Sequence, residues 1–173
     1  MVMYFVRGIF AFGLFVFIAG QAQAASQRDR DNCYKESGDR AIAACTRIIQ
    51  DRSETTENRA WAYNARCAGH ADKGDSDRAI ADCDEAIRIW PEYPGAYDNR
   101  GVAYHRKKDN DRAIVDFTEA IRLGPKRAVA YYNRGLAYSA KGGRNSAIAD
   151  YKRASELGYQ AAHEELRKLG VTP

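Results

Sequence analysis

The chain is poor in proline and poorer in histidine, with four and three of these residues among 173. So few prolines, and no alternating apolar and polar runs, speak against a β-rich fold. No two of His70, His105 and His163 lie within one helical turn of each other, so no histidine pair is spaced for a metal. Cys33, Cys45, Cys67 and Cys83 stand too far apart along the chain for compact zinc pairs, and no C-x-x-C redox motif is present. No serine stands in a nucleophile elbow, and the turn "GGRN" lacks the Gly-Lys-Ser/Thr ending of a phosphate loop. No enzyme, cofactor or metal is expected from this inventory.

Charge of one sign is never concentrated. Lys and Arg total 27 against 23 Asp and Glu, interspersed along the chain. That pattern describes a solvated surface and not a nucleic-acid stripe.

Positions 1–25 lack acidic residues, and Arg7 is their only charge. The apolar core "GIFAFGLFVFIAG" is followed by "QAQAA", in which Ala22 and Ala24 give an A-x-A pattern. This order describes a secretory signal peptide, residues 1–24, with cleavage expected after Ala24. An uncleaved membrane anchor over Val2 to Ala19 is the competing reading. The first cysteine is Cys33, too far along for a lipid anchor. An exported, periplasmic or secreted protein is expected, with no membrane contact once the signal is removed.

The remaining chain repeats itself. "DRAIADCDEAIRI" at 77–89 returns as "DRAIVDFTEAIRL" at 111–123 and, more weakly, as "NSAIADYKRASEL" from Asn145. Ala79, Ala113 and Ala147 stand at equal intervals and define the repeat. Apolar residues spaced by three and four mark one face of a helix, with Asp75 or Ser76 as its cap and Pro91 as its stop. A second helix precedes each copy: "AYNARCAGHADK" at 62–73, "AYDNRGVAYHRK" at 96–107 and "AYYNRGLAYSAK" at 130–141. The unit is helix, tight turn, helix.

Tyr97, Gly101, Tyr104, Ala113, Phe117, Ala120 and Pro125 stand in an order that resembles the tetratricopeptide repeat (TPR) family. Tyr131, Gly135, Tyr138, Ala147, Tyr151 and Ala154 repeat it; Tyr63, Cys67, His70, Ala79, Cys83, Ala86 and Pro91 carry it with substitutions. The resemblance implies an all-α solenoid of stacked antiparallel hairpins over residues 25–173. Full units are expected over about 60–93, 94–127 and 128–161. A partial unit at 29–50 is expected as the amino-terminal cap and residues 162–170 as the carboxyl-terminal one. Ala41 precedes Ala79 by four positions more than Ala79 precedes Ala113, so four extra residues are placed in "DRSETTEN".

In this pattern the large residue of the second helix lies over the small residue of the first. Cys67 and Cys83 occupy those two slots, so a bridge across one hairpin is expected, and Cys33 with Cys45 would form a second. Four cysteines permit three connectivities, and four buried thiols remain the alternative.

The resemblance also implies a concave groove, lined by the first helix of each unit, that receives a protein or peptide. By register its residues are Trp61, Asn64 and Ala68; Asp98, Val102, His105 and Arg106; Val129, Tyr132, Leu136 and Ser139. Trp61 and Tyr132 are aromatics additional to the scaffold tyrosines and are candidate anchors, or else pack on the two end caps. Some TPR proteins hold the carboxylate end of a chaperone tail with lysines, asparagines and an arginine. Here Asn64, Val129 and Asn133 stand where two lysines and the arginine are needed, and Asn99 alone fits. The function expected is non-enzymatic binding of a protein or peptide. A small-ligand or cell-wall-fragment binder and a membrane-anchored assembly factor are the alternatives.

Overall fold

The computed structural model describes residues 27–171, which form nine helices and no strand. The signal-peptide reading of 1–24 lies outside these residues. Residues 27–35 (α1) and Gly38–Gln50 (α2) make the first, irregular hairpin. Thr56–Asp72 (α3) and Ser76–Ile89 (α4) make the next. Pro94–Arg106 (α5) with Asn110–Leu123 (α6), and Ala128–Ala140 (α7) with Arg144–Glu156 (α8), complete the regular series. Gln160–Lys168 (α9) closes the end, with Leu166 fully buried and Leu169 packed beside it. No helix among the described residues is long and apolar enough to cross a membrane.

The boundaries follow from local chemistry. Thr55, Asp75 and Asp109 each accept a hydrogen bond from the backbone N–H three residues on, satisfying one orphan donor at a helix start. Each regular hairpin turns through one left-handed residue, at Gly74, Lys108 and Gly142, which share one place in the repeat. Glycine suits that conformation, and Lys108 is the one non-glycine with positive φ among the described residues.

The four extra residues have a definite location. α3 is 17 residues long, whereas α5 and α7 are 13. The longer interval is therefore taken up as one additional helical turn at the start of α3.

Close packing within each hairpin depends on a large residue over a small one. A Cβ on Gly101 would lie 2.7 Å from Phe117, and one on Gly135 would lie 2.6 Å from Tyr151. Burial pushes the Tyr151 hydroxyl pKa up to about 12. Between α3 and α4 the same place holds the Cys67–Cys83 disulfide, with Cα atoms 5.5 Å apart. Cys33 and Cys45 are joined between α1 and α2, with Cα atoms 4.9 Å apart. No cysteine among the described residues is free. Cys67 precedes His70 by three residues, but its sulfur is bonded to Cys83.

Candidate functional site: the inner helical layer

α3 touches α5 and α5 touches α7, whereas the second helices α4, α6 and α8 make no comparable contact with one another. The first helices are thus the inner layer of a curved stack. Their inward residues divide between stacking and exposure.

Arginines that carry no groove role in the sequence reading hold the layers together. Arg66, Arg100 and Arg134 are each forked onto an aspartate of the second helix in the same hairpin, Asp82, Asp116 and Asp150, at 2.7–2.8 Å. Their remaining nitrogens reach the preceding unit, at Thr46, Asp84 and Thr118. Each guanidinium also lies over the scaffold tyrosine three residues earlier, Tyr63, Tyr97 or Tyr131. The repeating aspartates are scaffold, as their periodicity implies. The arginines recur at the same interval, and that recurrence was the signal available for them. Further out, Lys73, Lys107 and Lys141 pair with Asp39, Asp77 and Asp111 of the preceding unit.

A second set of contacts involves the groove candidates. Tyr93, Arg127 and Tyr159 occupy the residue before α5, α7 and α9. Each reaches back to the preceding unit. The Tyr93 hydroxyl accepts from Asn64 Nδ2 at 3.0 Å. Arg127 Nε donates to Asp98 Oδ2 at 2.7 Å. Tyr159 lies 4.9 Å, ring to ring, from Tyr132. Asn64, Asp98 and Tyr132 hold one register position and are each clasped by the next unit. Asp98 is buried, and burial raises its carboxyl pKa above the ordinary value against the opposing pull of Arg127.

The other candidates have varied surroundings. Trp61 packs on the Cys33–Cys45 cluster, with its ring 6.1 Å from that of Tyr34. The Arg106 guanidinium donates to the Ala71 carbonyl and lies 3.3 Å from Asp72, tying α5 to α3. His105 Nδ1 is 2.6 Å from Asn110 Oδ1 at the hairpin turn. Asn99 Nδ2 donates to Asn64 Oδ1 at 2.9 Å. Val102, Val129, Asn133 and Leu136 are half-buried, and Ser139 is exposed. Asn133 has no polar side-chain partner among the described residues. The face left open is therefore apolar with amide and hydroxyl groups, and the structure groups no three metal-ligating side chains among the described residues.

This architecture is a helical-repeat solenoid. Two family profiles match it: TPR repeat over residues 104–142 and tetratricopeptide repeat over 128–157. The first TPR of Spaghetti (RPAP3) bound to the HSP90 peptide SRMEEVD is 30% identical, with a TM-score of 0.61. That alignment covers 64% of this chain and 90% of the other. The second TPR domain of human RPAP3, in complex with the HSP70 peptide SGPTIEEVD, is 27% identical over 67% and 98% of the two chains, with a TM-score of 0.63. MamA is 27% identical over 71% and 70%, with a TM-score of 0.59. No curated protein matches the chain. The chain belongs to the tetratricopeptide repeat family.

Proposed function

We propose that the protein is an exported, non-enzymatic module that binds an extended peptide segment of a protein partner on its inner helical layer. The observation that carries this reading is the composition of the face that stacking leaves open. Val102 and Leu136 pack on the core with one side and, half-buried, keep the rest of their apolar surface exposed, and Asn133 supplies an amide with no hydrogen-bond partner among the described residues. An extended peptide presents apolar side chains and unpaired backbone groups in alternation, which suits such a surface.

Two similar TPR domains hold chaperone peptides, and both peptides end in EEVD. This chain is not read as a receptor for such tails. Asn64, where a lysine is needed, is bound to Tyr93 and Asn99, and Asn133 carries no charge. Sugar stacking on Trp61 and Tyr132 is disfavoured because both rings are used in packing. Rigid hairpins limit the entropy lost when a peptide docks.

Export is supported by the apolar amino-terminal segment with its A-x-A ending and by two disulfides. Intact mass of the protein from its native cell should place the mature amino terminus at Ala25. Retention of Met1 contradicts signal cleavage.

Peptide display against the full chain tests the binding reading. Selected peptides should lose about tenfold in affinity, or about 1.4 kcal/mol, on Leu136→Ala or Asn133→Ala, and nothing on Arg122→Ala. Equal losses at all three positions contradict it.

A further inference from the structure

Internal comparison of the repeats exposes a second site, at the amino-terminal end of α3 and apart from the inner-layer face formed by Val102, Asn133 and Leu136. Tyr97 donates its hydroxyl to the Pro91 carbonyl at 3.1 Å, and Tyr131 donates to the Pro125 carbonyl at 3.4 Å. Tyr63 holds the place of Tyr97 one repeat earlier, but its hydroxyl has no hydrogen-bond partner among the described residues. Likewise Tyr93 and Arg127 hold side chains of the preceding unit. Arg59 holds the place of Tyr93 one repeat earlier, and its guanidinium has no polar side-chain partner among the described residues.

The added turn explains both. α3 begins at Thr56, so the segment that follows the loop in the other units is helix here. Positions 57 and 59, whose counterparts Pro91 and Tyr93 lie in the loop before α5, are inside that helix. Two polar groups whose counterparts in the next repeat are hydrogen-bonded within the chain thus line a recess of about 420 Å³. Its walls are Ile49, Thr56, Arg59, Tyr63, Arg88 and Ile89. Arg88 is held by Glu85 through Nε and Nη2 at 3.0 and 2.8 Å, which fixes a second guanidinium at the rim.

We propose that this recess binds a carboxylate carried next to an aliphatic group. The carboxylate would meet the Arg59 fork and the Tyr63 hydroxyl, and the aliphatic part would lie against Ile49 and Ile89. A planar guanidinium matches a carboxylate through two parallel hydrogen bonds, which favours this anion over a halide. The carboxylate has two sources, a peptide's chain terminus and an acidic side chain, and both present the same chemistry.

The test uses the full chain in mild detergent, with nuclear magnetic resonance of isoleucine methyls and arginine Nε–H groups. Three probes distinguish the sources: acetyl-Ala-Ala-Leu as free acid, the same peptide as amide, and acetyl-Ala-Glu-Leu-amide. Saturable shifts at Ile49, Ile89 and Arg59 with the first probe identify a chain terminus, and with the third an acidic side chain. The uncharged amide should give none. Arg59→Gln should weaken the shifting probe about tenfold, and Arg59→Lys should recover part of that. Equal shifts from acid and amide, no shifts from either acid, or shifts indifferent to Arg59→Gln overturn the proposal. The acid and amide comparison needs no variant, so the outcome does not depend on how Arg59→Gln folds.

Discussion

Arg100 and Asp116 face each other across one hairpin, with Nε 2.8 Å from Oδ2 and Nη2 2.7 Å from Oδ1. Asp116 is almost wholly buried, and Arg100 also reaches Asp84 at 2.6 Å. One guanidinium thus joins its own hairpin to the preceding one. Removing it strands a buried carboxylate. Arg100→Met should cost about 3 kcal/mol, since breaking a buried pair leaves one charge without compensation. Asp116→Asn should cost less, about 1–2 kcal/mol, because Arg100 keeps Asp84 and an amide can still accept a hydrogen bond. Urea unfolding midpoints of the two variants check the order.

Cys67–Cys83 stands where Gly101 lies under Phe117. The bridge spans a sequence separation of 16 and should contribute about 3 kcal/mol through the unfolded chain. Reductant should therefore lower the thermal midpoint. Cys67→Gly combined with Cys83→Phe rebuilds the packing of the next hairpin. That double variant should recover much of the reduced protein's loss, and Cys83→Phe alone should be overpacked and less stable. Melting curves with and without reductant separate the cases.

His70 fills the slot of Tyr104 and Tyr138. It is buried, and burial lowers its pKa below the ordinary 6.5 despite Asp82 at 3.7 Å. The unfolded chain then binds more protons than the folded one just below pH 6.5. The His70 contribution is complete above that pH and is lost as pH falls through it towards the folded value. His70→Tyr should remove this part of the acid destabilisation, measured as the difference in unfolding free energy between neutral and mildly acidic buffer.

Lys108 has φ of 62° where Gly74 and Gly142 serve in the neighbouring turns. A left-handed lysine costs about 1 kcal/mol. Lys108→Gly should stabilise the protein by somewhat less than that, because glycine also loosens the unfolded chain. A rise in melting temperature checks this, and a fall contradicts it.

The hairpin order was legible because Ala79, Ala113 and Ala147 keep one interval and Asp75 and Asp109 punctuate it. The Cys67–Cys83 bridge was legible because those residues replace a small and a large residue in known slots, whereas the full connectivity of the four cysteines was left open by the sequence. The clasps on Asn64, Asp98 and Tyr132 were not. Their partners Tyr93, Arg127 and Tyr159 share a position before a helix but no chemistry, so a search for repeated residue types passes over them. A hydroxyl with an amide, a guanidinium with a carboxylate and two rings solve one geometric problem three ways. This is why residues expected by register to line a groove also serve as joints between units.

Photo-crosslinking in the native cell tests peptide recognition on the inner helical layer. A photoreactive residue at Ser139, exposed at the end of α7, is compared with one at Arg122 on α6. One dominant adduct is expected at Ser139, absent at Arg122 and lost on Asn133→Ala. Equal adducts at both positions, or none at Ser139, would contradict recognition on the inner layer.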